Sequence, residues 1–316
     1  MKKKVILTCV PKSYELDYLK IIKWSWIDIA IVKVESEYDF NDEKYTQLCS
    51  YKPAIIDVNY ARKYQEPGTD ALVLGWGHKE KWRKPEDVSN YNQDTLNYAP
   101  IMLQNKEKCT EAYKDIERMN ILIDNYMICA DGKGNINAKG EQILKGKPEA
   151  DGCATNPENL KGILDDSCEK PFQNKDPSIV LLNARKNNSD DNISQLDTRR
   201  NDDGATGICQ NDHGGPLVTW VGTHEVLIGV ASVFRVDSNS QCTGPYLFTS
   251  TECNGAFIGC ILNQTVARRT GVCDQSPIER GFDIIEKSIS WKGHPEGPAQ
   301  NELLKMRPQV PITHFG

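Results

Sequence analysis

Short apolar runs of strand length, each ended by glycine, proline or charged residues, dominate the hydrophobic pattern of this chain. Runs of this length and bounding are typical of β-strands, and they predict an all-β fold. The clearest helical spacing lies near the C-terminus, where Phe282, Ile285 and Ile289 recur at i, i+3 and i+7 and predict a C-terminal helix. The apolar runs are residues 27–32, 71–74, 216–218, 226–230 and 245–248.

Size and charge exclude several classes of protein. The chain has 316 residues, enough for one large domain or two ordinary ones, and a formal net charge of −6. A net negative charge argues against a generic binder of nucleic acid or of anionic membranes, which needs a basic surface. No apolar run approaches the ~18 residues of a membrane span. We therefore expect neither nucleic acid nor membrane as a partner, and no cofactor.

Cysteine content favours an oxidising environment. The eleven cysteines are many for a reduced cytosol, and none has the paired Cys or His spacing of a zinc site, so no metal site is predicted. Glycosylation sequons begin at Asn187, Asn192 and Asn263, and together with the cysteines they predict a secreted glycoprotein. Residues 5–10 are shorter than the ~7–15 apolar residues of a signal peptide, so we expect the chain to be N-terminally incomplete. The alternative is an intracellular protein with many free thiols.

A cysteine-anchored loop entering a strand is the most informative motif. Residues 209–218 read Cys-Gln-Asn-Asp-His-Gly-Gly-Pro-Leu-Val, where Gly214 and Gly215 allow close backbone packing and Pro216 stiffens the start of the strand. This motif resembles the nucleophile loop of the trypsin/chymotrypsin-like serine proteases, Cys-x-Gly-Asp-Ser-Gly-Gly-Pro-Leu-Val. Four further segments resemble that family in the same order: residues 28–34, 74–77, 126–130 and 242–246.

The resemblance implies a trypsin-like double β-barrel with a truncated N-terminal barrel. It places a partial N-terminal β-barrel at residues 1–66 and a C-terminal β-barrel at 67–291. Residues 131–203 are rich in Lys, Asn, Asp and Gly and form a predicted surface insertion, which contains the dibasic pair at 199–200. Residues 292–316 are a predicted irregular tail.

The implied catalytic site is incomplete. His213 stands at the nucleophile position, and Asp28 stands at the position of the triad aspartate with no histidine before it in the chain. Asn211 occupies the oxyanion-hole glycine position, where asparagine tolerates the left-handed conformation better than most residues. Asp212 matches the aspartate that pairs with a new amino terminus after activation, and the chain shows no matching cleavage motif. We interpret Asp28 and His213 as remnants of a triad, and hypothesise a direct hydrogen bond between them.

The resemblance also implies a specificity pocket and disulfides. Gly207 lies at the pocket base and gives it no charge preference, and Ser232, Val233 and Phe234 form its wall, where Phe234 replaces a glycine and obstructs the pocket. The implied disulfides are Cys109–Cys129 and Cys209–Cys242. Cys49 resembles a position that bonds to a pro-segment, Cys153 and Cys168 are candidates to close a loop within the insertion, and Cys9, Cys253, Cys260 and Cys273 are unassigned.

These features predict a secreted, catalytically inactive serine protease homologue with a binding or regulatory role, such as a cofactor in a proteolytic cascade. Its expected partner is a protein, either an active protease or the substrate of one. The alternatives are a serine endopeptidase of which this chain is an incomplete version, and an unstable fragment with unpaired barrel edges.

Overall fold

The structure is a computed structural model that describes residues 3–14, 21–48, 53–79, 81–84, 86–142, 207–262, 267 and 269–291. Its strands are β1 Val5–Pro11, β2 Ile31–Val34, β3 Asp57–Val58, β4 Asp70–Gly75, β5 Asn97–Leu103, β6 Met127–Asp131, β7 Pro216–Val221, β8 His224–Val236, β9 Cys242–Ser250 and β10 Ile284–Ser288. Its helices are α1 Ile21–Trp24, α2 Glu43–Leu48, α3 Lys106–Ala112, α4 Met119–Tyr126, α5 Gly255–Ile261 and α6 Pro277–Arg280.

Six strands close into a barrel. Antiparallel neighbours follow the order β8, β7, β4, β5, β6 and β9, and pairing of β9 with β8 completes the ring. Side chains alternate inward as a half-buried strand requires, so that Ala99, Ile101 and Leu103 of β5 are buried in the main core. Closure leaves these six strands without free edges, and β3 adds a short parallel pairing to β8.

A smaller sheet places β1 between β10 and β2, with antiparallel pairing on both sides. The predicted C-terminal helix is therefore wrong, since β10 occupies most of that segment. The residues of this segment that pack against the core are Phe282 and Ile284, two positions apart, while Ile285 is 46% exposed. The Phe282 ring meets that of Phe257 on α5 at 5.8 Å between centroids. Pairing with β1 satisfies the backbone hydrogen-bonding groups of β10. The spacing of three apolar residues could not reveal this partner.

Two helices cover one side of the barrel. Met119, Leu122 and Ile123 of α4 recur at helical spacing and are fully buried. They pack with Leu247 of β9 in a second core cluster. This packing connects α3 and α4 to the barrel strands that surround the site.

The all-β, trypsin-like barrel prediction is confirmed. The division at residues 66 and 67 stays a prediction, although β10 belongs to the same sheet as β1.

Several other predictions concern residues outside the described part of the chain: the sequons at Asn187, Asn192 and Asn263, the cysteines Cys49, Cys153 and Cys168, the dibasic pair 199–200, most of the insertion and the tail 292–316.

Candidate active site

The cysteine-anchored loop is fixed by its own backbone and by the barrel. The amide of Asp212 donates to the Cys209 carbonyl at 3.1 Å, and the amide of Gly215 donates to the Asp212 carbonyl at 2.9 Å. A Cβ at Gly215 would lie 2.8 Å from the Leu74 carbonyl oxygen, so only glycine fits there. Asn211 has φ of 71°, the left-handed conformation anticipated for this position.

Asp212 has backbone partners in the structure. Its side chain is buried, with Oδ1 accepting from the Gly77 amide at 2.9 Å and Oδ2 accepting from the Cys209 amide at 3.1 Å. A Cβ at Gly77 would lie 2.5 Å from Oδ1, and one at Gly75 would overlap the same oxygen. The two glycines of the Gly-Trp-Gly segment therefore make room for this carboxylate, and the carboxylate connects that segment to the loop.

Ser232 contacts both remnant triad positions. Its hydroxyl donates to Asp28 Oδ2 at 2.8 Å, and its backbone forms a hydrogen bond with the His213 ring. Ser232 is therefore a partner of each residue, and the direct bond between Asp28 and His213 stays a hypothesis. The Thr249 hydroxyl also donates to the Asp28 carbonyl at 2.9 Å, which fixes the segment before β2 against β9.

Desolvation changes the acidity of both Asp28 and His213. Desolvation raises the pKa of Asp28 to about 6, and the Ser232 hydroxyl opposes this shift by favouring the carboxylate. Desolvation lowers the pKa of His213, and the Ser232 backbone bond opposes that shift. His213 remains exposed to solvent although protein surrounds its ring. Both groups are therefore shifted toward their neutral forms.

Substituting Asp28 with Asn should stabilise the protein at neutral pH. Because the folded-state pKa is raised from 3.8 to about 6, ionisation of Asp28 costs folding energy that appears as pH rises through this window. Asparagine keeps an acceptor for Ser232 without a charge. In urea titrations, we expect the free energy of unfolding of Asp28→Asn to exceed that of the wild type by about 2–3 kcal/mol at pH 7.5. At pH 3.5 the two proteins should differ little.

The exposed Asp57 supplies the matched control for this measurement. Asp57→Asn should change the free energy of unfolding by less than about 0.5 kcal/mol at either pH. An Asp28→Asn protein no more stable than wild type at pH 7.5 would show that the Asp28 carboxylate is stabilised in the folded state, contrary to the desolvation expected from its burial.

Aromatic rings occupy the pocket side of the site. The Phe234 ring lies between His213 and Trp82, with centroids 5.2 Å and 5.9 Å away. At the predicted pocket base, a Cβ on Gly207 would overlap the Tyr246 ring. Val233, predicted as a wall residue, is instead buried in the core cluster beneath α4. Aromatic rings, those of Phe234 and Tyr246, therefore lie at or against two of the positions predicted to line the pocket.

His78 lies beside the loop, although its sequence position did not single it out. It is buried, its Nδ1 lies 2.9 Å from the Lys81 carbonyl oxygen, and its Nε2 lies 3.4 Å from Nδ2 of Asn211. That Nδ2 also donates to Oδ1 of Asn92 at 2.8 Å. The only available signal was that His78 directly follows Gly77, and this adjacency does not reveal a contact with a loop more than a hundred residues later.

Disulfides join the elements around the site. The predicted pairs Cys109–Cys129 and Cys209–Cys242 are both confirmed. A third bond, Cys260–Cys273, pairs two of the cysteines that the sequence left unassigned, while Cys9 and Cys253 are free among the described cysteines.

Within the described ranges, no group of three His, Cys, Asp or Glu side chains could hold a metal, and no helix is long and apolar enough to cross a membrane.

The closed six-stranded barrel, with the cysteine-anchored glycine loop beside the Asp28–Ser232 pair, has the architecture of a trypsin-like β-barrel. The family model for trypsin matches residues 12–141, which include Asp28 and strands β4 to β6. This match supports a relationship to the trypsin/chymotrypsin-like serine proteases over that part of the chain. No match was found among curated proteins.

Proposed function

We propose that this chain is a catalytically inactive trypsin-like homologue that is secreted and acts by binding a protein, either an active protease or the substrate of one. The observation that carries the proposal is His213 at the nucleophile position. Its ring is hydrogen-bonded to the Ser232 backbone, and the Ser232 hydroxyl is the partner of the Asp28 carboxylate.

Acyl transfer in this family needs a hydroxyl nucleophile and an imidazole base that an aspartate orients. An imidazole at the nucleophile position does not supply the first, and in the described part of the chain the carboxylate of Asp28 orients a serine hydroxyl. Loss of the serine or the histidine alone costs ~10⁶ in kcat, or roughly 8 kcal/mol of transition-state stabilisation. Substrate access is reduced as well, because Phe234 packs between His213 and Trp82.

A binding role is supported by a scaffold preserved around the inactive centre. The loop keeps Asp212 buried and bonded, and Asn211 keeps the glycine-like conformation. At the same rim, Trp76 is 56% exposed between the two glycines that accommodate Asp212. Exposed tryptophan is frequent among residues that dominate protein interfaces. The trypsin-family match and the three disulfides among the described residues fit a secreted protein.

Activity of the His213→Ser variant is the decisive test. We expect the wild type and His213→Ser to hydrolyse fluorogenic peptide substrates at least about 10⁶-fold more slowly than an active trypsin-like protease, because restoring the hydroxyl does not restore its base. Neither protein should label with a serine-directed phosphonate. An active trypsin serves as the assay control.

Turnover by the wild type would overturn the proposal. Turnover by His213→Ser alone would show that a base is present, and would favour the alternative of a serine endopeptidase of which this chain is an incomplete version. Circular dichroism of both proteins would establish that a negative result comes from a folded chain.

A further inference from the structure

The hydrogen-bond donors and acceptors around His78 determine its protonation state. The Lys81 carbonyl can only accept, so the Nδ1 that faces it carries the hydrogen. In the neutral ring Nε2 is then an acceptor, which matches the Asn211 amide nitrogen placed against it. The second hydrogen of the same amide goes to Oδ1 of Asn92. With its two hydrogens directed at His78 and Asn92, the Asn211 amide is therefore compatible only with neutral His78.

We propose that His78 is a pH-sensitive latch on the loop 209–215: neutral His78 anchors Asn211, and protonation of Nε2 releases it. The added hydrogen turns Nε2 from an acceptor into a donor that faces the hydrogens of the Asn211 amide. The amide must rotate to present its oxygen to His78. That rotation places two oxygens against each other at Asn92, so the Asn211–Asn92 bond breaks unless Asn92 rotates in turn.

Charged and titratable groups reach His78 from both segments that pack against it. From its own loop, Arg83 disfavours the imidazolium and Asp87 favours it, and the Tyr91 ring lies edge-on with centroids 5.4 Å apart. From the loop 209–215, the carboxylate of Asp212 favours the imidazolium. Desolvation is the largest effect, and it lowers the pKa of His78 below its usual 6.5.

The latch is therefore closed at neutral pH and opens only in acid. Because the folded-state pKa is lowered, the neutral form predominates at and above pH 6.5, and release begins as pH falls through the lowered value. The release site adjoins Asp212 and His213, so acid changes the conformation of the segment most central to the site. The latch acts on loop conformation and does not depend on whether the chain is catalytic.

Side-chain amide NMR signals provide the direct test. In the isotope-labelled full chain, the amide resonances of Asn211 and Asn92 should move together between pH 7.5 and 4.5, with the same midpoint as the His78 ring. His78→Gln, which cannot titrate, should abolish that midpoint. The control His224→Gln removes an exposed histidine at the far end of β7 and β8 and should retain it.

A second variant tests the latch without altering His78. Asn211→Gly suits φ of 71° and removes the amide that favours the neutral ring, so the His78 midpoint should rise by about one pH unit. This measurement stands even if His78→Gln does not fold. The proposal would be overturned if the Asn211 and Asn92 amide resonances did not shift with pH, or if they titrated equally in His78→Gln. An unchanged His78 midpoint in Asn211→Gly would also overturn it.

Discussion

Replacing Asp212 with alanine should lower the free energy of unfolding by roughly 3–5 kcal/mol. The buried carboxylate accepts hydrogen bonds from the backbone amides of Gly77 and Cys209, and its removal leaves both donors unpaired inside the protein. It also leaves space between the Gly-Trp-Gly segment and the loop. Chemical denaturation followed by tryptophan fluorescence would measure the loss.

Asp237 provides a matched control for this variant. Its Oδ1 also accepts from two backbone amides, those of Asn239 and Gln241, but the residue is exposed to solvent. Water can replace these bonds, so Asp237→Ala should cost only about 1 kcal/mol. Equal losses for the two alanine variants would show that burial of Asp212 adds nothing to the stability of the fold.

Removing the Cys209–Cys242 disulfide should be the most destabilising of the three disulfide deletions. Its ends are 33 residues apart, compared with 20 for Cys109–Cys129 and 13 for Cys260–Cys273. The entropy of the unfolded chain predicts losses of about 3.7, 3.3 and 2.9 kcal/mol respectively. Paired Cys→Ala variants, compared by urea unfolding, would establish the order.

Packing should widen the difference between the Cys209–Cys242 and Cys260–Cys273 deletions. Cys209 and Cys242 are buried in a cluster with Trp82, whereas Cys260 is only partly buried. Cys209 also donates its amide to Asp212, so loosening this bond should disturb the loop. If the Cys260–Cys273 deletion proved the most costly, neither loop length nor burial would explain how the disulfides stabilise this fold.

Local pattern predicted β4, β7, β8 and β9, because each contains a short apolar run that ends at a turn or charged residue. It failed at β10, where the spacing of Phe282, Ile285 and Ile289 fits a helix although the segment forms a strand. Only the antiparallel partner β1 distinguishes the two, and it lies more than 270 residues away in the chain. A short segment takes the structure that its long-range partner can hydrogen-bond.

The site residues divide in the same way. The positions of Asn211, Asp212 and His213 follow from a contiguous motif. Their partners come from distant segments: Gly77 for Asp212, Ser232 for His213 and His78 for Asn211. No local spacing encodes such contacts, so the backbone bonds of Asp212 and the proximity of His78 were not predictable.

The amino-acid sequence alone predicted the trypsin-like barrel, two disulfide pairs by resemblance, and a histidine in place of a hydroxyl within the glycine-rich loop, because each is a matter of residue type within a short stretch. Tertiary structure alone decided that Ser232 contacts both Asp28 and His213, that the Phe234 ring meets that of Trp82, and that His78 contacts the loop. Closing the barrel brings these segments within hydrogen-bond distance, and at that distance burial and donor–acceptor matching set the charge of each group.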